Sequence, residues 1–332
     1  MIMHPGILAL LTGSLFTSLM ILYAGWYGVL ILRRWDLASG SELQLSLEKR
    51  TYLVSTLLSY ALAFELVSLF LFIFTADRLH LLFTGAMCAA GTLNANGFGY
   101  PLLILKIVNF LLAGTWLIVN HADNQGYDYP LIKFKYTLLV PLVPLALLEL
   151  LYLFGYFSGL HADIITSCCG SLFSLERPGI AGDLASLPSA PMRLAFYGAM
   201  AATLLSGAFS FFKGKGYYLF SAISSLSFCI ALASLISFIC LYIYELPTHH
   251  CPFCILQKEY GYIGYPMYAA LLGGGLAGLG TGILAPFEGR GSMVRIIPAL
   301  QRRLTGTTLV LYAIFTLIAS YKMVFSSFKL GD

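Results

Sequence analysis

The chain has 332 residues, 59% of them hydrophobic, 14% aromatic and only 10% charged, with a mean hydropathy of +0.83. Soluble domains carry about 25% charged residues and about half or fewer apolar ones, so this composition excludes a soluble globular enzyme, a disordered chain and a nucleic-acid binder. The formal charge of +4 rests on 19 basic against 15 acidic residues, few enough for their positions to be informative.

Taken in chain order, the apolar runs that reach the roughly 20 residues a bilayer demands number eight: 7–32, 51–75, 100–118, 136–158, 194–212, 217–244, 260–284 and 307–326. The expected fold is an all-α polytopic membrane protein forming a single transmembrane domain. The first run has no basic leader and is too long for a signal peptide, which predicts a retained span. Segments after spans 1, 3, 5 and 7 hold Arg33, Arg34, Lys49, Arg50, Lys133, Lys135, Lys213, Lys215, Arg290, Arg295, Arg302 and Arg303, which is 12 of the 19 basic residues. Cytoplasmic loops concentrate Lys and Arg. Both termini are therefore expected on the outer side of a membrane, most simply a bacterial cytoplasmic membrane. The longest outer segment, 159–193, is rich in Ser, Gly, Pro and Leu and reads as an outer-face loop rather than a domain. Gly274, Gly278 and Gly282 in span 7 predict close approach of another helix, and Pro141 and Pro144 predict a kink in span 4.

This orientation sorts the seven cysteines. Cys88 falls in the outer loop after span 2, Cys168 and Cys169 in that after span 4, and Cys251 and Cys254 in that after span 6. Cys240 lies near the outer end of span 6, Cys229 lies mid-membrane as a small apolar filler, and none occupies an inner loop. Disulfides persist on an oxidising outer face, so structural clamping of outer loops is one reading. The segment Thr248-His249-His250-Cys251-Pro252-Phe253-Cys254 supports a sharper one. A Cys-x-x-Cys pair at a helix start, beside an imidazolium, stabilises a thiolate, and such a pair can cycle between dithiol and disulfide. In this reading His250 favours the thiolate.

Cys251-Pro-Phe-Cys254, a basic residue four positions on at Lys258, and an aromatic-rich span carrying Tyr265-Pro266 together resemble the quinone-linked disulfide-generating membrane proteins. These are the DsbB family and its structural relative, the vitamin K epoxide reductase family. The resemblance implies that Cys251 and Cys254 pass electrons to a membrane quinone near Lys258. It also implies that Cys168 and Cys169, with Cys88, exchange with a thioredoxin-like partner on the outer face. Lys258 stands where the family usually has Arg, and adjacent Cys168 and Cys169 depart from its well-separated shuttle pair.

Cys88-Ala-Ala-Gly91 followed by Gly99-Tyr100-Pro101 parallels Cys251-Pro-Phe-Cys254 followed by Gly264-Tyr265-Pro266, with the two prolines 165 residues apart. Two parallel four-helix repeats, 1–160 and 161–332, would produce that pattern. Ionisable groups inside spans are costly and usually paired or functional. Glu65, Lys106 and Glu149 are expected at similar depth, either as a buried ion pair or as a proton path or quinone head-group site. No histidine is mid-span and Ile255 follows Cys254, so neither stacked b haems nor a Cys-x-x-Cys-His haem attachment is expected. Two alternatives to the oxidoreductase stay open. One is a membrane anchor or assembly subunit of an outer-face complex with a cytochrome or other electron-transfer partner, with all cysteines structural. The other is a metal-handling protein using His249, His250, Cys251 and Cys254. The interactions expected are thus membrane lipid, quinone and an outer-face protein, and no nucleic acid.

Overall fold

A computed structural model describes residues 3–36, 39–161, 164–166 and 180–330. Among these, eight helices are long and apolar enough to cross a membrane. They are α1 (Pro5–Arg34), α2 (Glu42–Leu79), α4 (Gly99–Asp123), α5 (Ile132–Ser158), α7 (Ser189–Lys213), α8 (Tyr217–Tyr244), α9 (Gly264–Leu284) and α10 (Met293–Phe325). Two short helices, α3 (Ala89–Leu93) and α6 (Ile180–Ala185), lie between them. No strand occurs among the described residues. The chain is an all-α polytopic membrane protein.

Several helices outrun their apolar windows. α2 begins at Glu42 rather than 51, and α10 begins at Met293 rather than 307. Their polar ends, such as Glu42-Leu-Gln-Leu-Ser-Leu-Glu-Lys-Arg50, consist largely of good helix formers. Hydropathy measures affinity for lipid, whereas the helix continues as far as its backbone bonds do. α9 departs in the other direction, starting at Gly264 instead of 260. Lys258–Tyr260 forms a single 3₁₀ turn, and Gly261 (φ +62°) and Tyr262 (φ +57°) then turn the chain left-handed before the helix begins. α5 runs unbroken through Pro141 and Pro144.

The chain divides into two compact units. The first comprises Met1–Thr75, Ala95–Ala162 and Gly289–Ile296, and the second Ala76–Asn94, Asp163–Glu288 and Ile297–Asp332. In the first, α5 packs against α1 and α4, around a core that includes Tyr27, Leu58, Trp116, Tyr136 and Leu139. The Tyr27 hydroxyl donates to the Leu47 carbonyl at 2.9 Å. Lys135 is buried with Asp123 (Nζ–Oδ2 2.6 Å) and also donates to Asn120 at 3.2 Å. Asp128, in the loop between α4 and α5, accepts from the Ser292 hydroxyl and from its N–H at 3.3 Å. The hydroxyl bond is the main cause holding the Asp128 carboxyl below its ordinary value.

In the second unit α8 packs between α7 and α9, and the glycine stripe is where α9 meets its neighbours. A Cβ at Gly278 would fall 2.1 Å from Ser224 Oγ, one at Gly282 2.5 Å from Ser221 Oγ, and one at Gly274 2.4 Å from the Tyr312 ring. Thr203 and Ser227 hydroxyls meet at 2.7 Å, and Tyr312 donates to the Ser224 carbonyl at 3.0 Å. Such small-residue contacts and interhelical hydrogen bonds replace the hydrophobic drive that lipid cannot supply.

Candidate functional site

Cys88, Cys251 and Cys254 converge within the second unit although 163 residues separate the first two. All three are buried, and their sulfurs lie within 4.8 Å of one another. Cys88 Sγ and Cys251 Sγ are 3.6 Å apart. That exceeds a disulfide bond, about 2.05 Å, and is short enough for one sulfur to attack the other after a small rotamer change. No disulfide joins two described cysteines.

Local chemistry explains the convergence. Cys88 is the N-cap residue of α3, and the Asp77 carboxylate, on the last turn of α2, accepts from the Ala89 N–H at 3.2 Å. Gln257, three residues past Cys254, donates to the Met87 carbonyl at 2.7 Å and to the same Asp77 oxygen at 3.4 Å. One carboxylate and one amide thus tie the Cys88 turn to the Cys-x-x-Cys turn. On the other side, the Tyr244 hydroxyl donates to the Cys251 carbonyl at 2.5 Å and accepts from Ile255 N–H at 3.0 Å. The Tyr268 hydroxyl donates to the Pro252 carbonyl. Two phenols therefore hold the backbone of the motif. Burial pushes the Tyr260 phenol up, with Cys254 and Glu259 adding to it.

The histidine beside the thiols is not the expected one. His249 Nε2 lies 3.3 Å from Cys254 Sγ, and its ring stacks edge-on to Tyr244 with centroids 4.6 Å apart. His250 is buried with Nδ1 2.8 Å from the Ile236 carbonyl. That carbonyl belongs to a π turn, Leu235–Ile239, where the α-helical ladder of α8 is interrupted. His250 fastens the loop to α8, and His249 is the imidazole placed to act on a thiol. The motif also does not open a long helix. Cys254 starts only a three-residue 3₁₀ turn, and α9 begins ten residues later, so the expected helix-dipole support at the pair is missing. The imidazole is then the local group available to stabilise a thiolate.

A cavity of about 850 Å³ adjoins the motif, lined by Ile243, Tyr244, Tyr260, Ile263, Leu317 and Tyr321 among others. Tyr244 and Tyr260 stack edge-to-face with centroids 4.8 Å apart, so its aromatic wall is the residue whose hydroxyl holds Cys251. Glu245 and Lys322 pair at 3.0 Å on its polar side, and the Lys322 hydrogen bond holds the exposed Glu245 carboxyl below its ordinary value. Lys258 does not line this cavity. It is exposed and borders a smaller one of about 340 Å³ with Asp77, His80 and Gln257.

Cys168 and Cys169 lie outside the described residues. Thr166, two positions before Cys168, donates its N–H to the Thr84 carbonyl at 3.0 Å, and Ile165 bridges with Thr84. A Cβ on Gly91 of α3 would come within 3.2 Å of Thr166 Oγ1. Glu65, Lys106 and Glu149 belong to the first unit and do come together, with Lys106 Nζ 2.6 Å from Glu149 and 3.9 Å from Glu65. Sequence reasoning missed Tyr244, Tyr268, Asp77 and Gln257, and named His250, whose Nδ1 is 2.8 Å from the Ile236 carbonyl, where His249 Nε2 is the nitrogen 3.3 Å from Cys254 Sγ. No family model, curated protein or solved structure matches the chain.

Proposed function

We propose that the protein is a membrane thiol–disulfide oxidoreductase that exchanges electrons between outer-face cysteines and a membrane quinone. The observation carrying this reading is the convergence of Cys88, Cys251 and Cys254, buried and mutually within 4.8 Å. Three thiols at that range form the minimum set for relayed exchange. A thiolate at Cys254 attacks Cys251 of a Cys88–Cys251 disulfide, forms the Cys251–Cys254 bond and expels Cys88 as thiolate. Oxidation of a dithiol to a disulfide releases two electrons and two protons, which a quinone takes up together. The cavity behind Tyr244 has the volume of an ordinary small-molecule site and an aromatic wall against which a planar ring packs. Because the three cysteines are buried, exchange with a soluble thioredoxin-like protein needs a more accessible intermediary. Cys168 and Cys169 are the candidates, following as they do a segment bridged to Thr84. The likeness to the DsbB and vitamin K epoxide reductase families supports the same assignment, with Tyr244 and Tyr260 rather than Lys258 at the acceptor cavity. Outer-face placement follows from the basic residues.

The test is quinone reduction by purified protein in lipid nanodiscs, driven by a dithiol and followed optically. Cys251→Ala and Cys254→Ala are each expected to abolish turnover, and Cys88→Ala to slow it at least tenfold. Full turnover in either of the first two overturns the proposal.

A second reading draws on one specific observation. With His249 Nε2 3.3 Å from Cys254 Sγ, the set becomes three thiols and an imidazole. Tetrahedral zinc–thiolate ligation sets sulfurs about 3.8 Å apart, close to the 3.6 Å between Cys88 and Cys251. A stoichiometric thiophilic ion in protein purified without chelator, lost on Cys88→Ala, together with absent quinone turnover, would favour a metal site over the relay.

A further inference from the structure

The polar cluster of the first unit has an unbalanced charge. Glu65 on α2, Lys106 on α4 and Glu149 on α5 are all buried, with Lys106 at 0% exposure. The Lys106 ammonium donates to Glu149 at 2.6 Å and to Ser68 Oγ at 2.9 Å, and stands 3.9 Å from Glu65. The Ser68 hydroxyl lies 3.4 Å from the same Glu65 oxygen, so one ammonium faces both carboxyl groups. Asn109 adds an amide 2.6 Å from the second Glu149 oxygen. α1 contributes no carboxylate, lysine, arginine or histidine between Pro5 and Leu32. Two carboxylates thus share one cation, seven residues into α4 and hence about 10 Å along it.

Fully ionised, the cluster would hold one uncompensated negative charge away from water. Such a charge costs several kcal/mol, and a group in that position neutralises instead. The second observation concerns Asn109. This residue is 1% exposed, and its Oδ1 is a buried acceptor with no hydrogen-bond donor. Its Nδ2 donates to Glu149 and, at 3.4 Å, to the Leu145 carbonyl, so Oδ1 stands open as an acceptor for a proton-bearing group at the cluster.

We infer that Glu65, Glu149 and Lys106 with Asn109 form a proton-binding site inside the membrane-spanning unit, holding one exchangeable proton on the carboxyl pair at neutral pH. Bound, the proton leaves the cluster neutral. Its departure leaves a charge stabilised only by Lys106, Ser68 and Asn109, which is the behaviour of a proton carrier rather than a static ion pair.

Two measurements on the full-length protein in nanodiscs test this. Infrared spectra at pH 7 are expected to show the carbonyl stretch of a protonated carboxyl, shifting in D₂O. The band should disappear in Glu65→Gln and in Glu149→Gln, since each leaves one carboxylate balancing Lys106. Peptide mapping after treatment with dicyclohexylcarbodiimide, which modifies protonated carboxyls in apolar surroundings, needs no variant and should find the adduct on Glu65 or Glu149. Absence of the band in the wild type, its persistence at full strength in both variants, or an adduct on neither residue overturns the assignment.

Discussion

The Tyr244 hydroxyl is the clearest case of one atom organising the cysteine site. It donates to the Cys251 carbonyl and accepts from the Ile255 N–H, spanning the Cys-x-x-Cys turn from outside, while its ring separates His249 from the cavity's Tyr260. Tyr244→Phe keeps the ring and strands two buried backbone groups. An unpaired buried group costs about 1–3 kcal/mol, so the variant should unfold at lower temperature. Its Cys251 and Cys254 should also react faster with a small maleimide as the turn loosens. Unchanged melting together with an unchanged labelling rate would remove Tyr244 from this role. The thiols were legible in the sequence because cysteines are scarce and the Cys-x-x-Cys spacing is distinctive. Tyr244 was not, being one of 21 tyrosines with nothing in its spacing to mark it. His249 and His250 are adjacent, and only the π turn in α8 decides which one is spent on a carbonyl.

Among elements, α9 shows what periodicity reveals and what it withholds. Glycines four residues apart announce a helix that another approaches closely, but they do not name the partner. The partner is the serine face of α8, where Ser221 and Ser224 fill the space that Cβ atoms on Gly282 and Gly278 would take. Helix pairing depends on two surfaces meeting, and each surface is written in a different part of the chain. Gly278→Ala forces a methyl to within 2.1 Å of Ser224 Oγ and 2.8 Å of Ser224 Cβ. Overpacking of this kind costs about 1–3 kcal/mol. Ser224→Gly in the same chain should restore most of that loss, and thermal unfolding of the four proteins of the cycle measures the coupling. Additive losses would mean that the two residues do not meet. The helix ends follow the same logic. The apolar windows fall short of α2 and α10 because charged residues interrupt apolarity without interrupting a helix, and the window at α9 runs ahead of the helix because Gly261 and Tyr262 reverse the chain locally.

At the scale of the whole molecule the sparse charges decide the chemistry. Spanning helices were legible because a bilayer demands apolar length, whereas segments 76–94 and 163–288 share one unit and are joined there by Gln257 bonds to Asp77 and Met87 that no composition reveals. Orientation stands apart from both, being a property of Lys and Arg counts relative to the membrane. Gly40, between α1 and α2, and Gly97, between α3 and α4, both have open space where a side chain would go. Each can therefore carry a reporter cysteine without disturbing its neighbours, in a chain whose Cys168 and Cys169 are replaced by Ser. With 12 of 19 basic residues after odd-numbered spans, a membrane-impermeant maleimide applied to intact cells should label Gly97→Cys. It should label Gly40→Cys only after the membrane is opened. The reverse pattern would turn the loop holding Cys88 toward the cytosol, where thiols are kept reduced. A labile disulfide among Cys88, Cys251 and Cys254 would not accumulate there, and the same three sulfurs with His249 would then be better suited to holding a thiophilic metal than to passing electrons to a quinone.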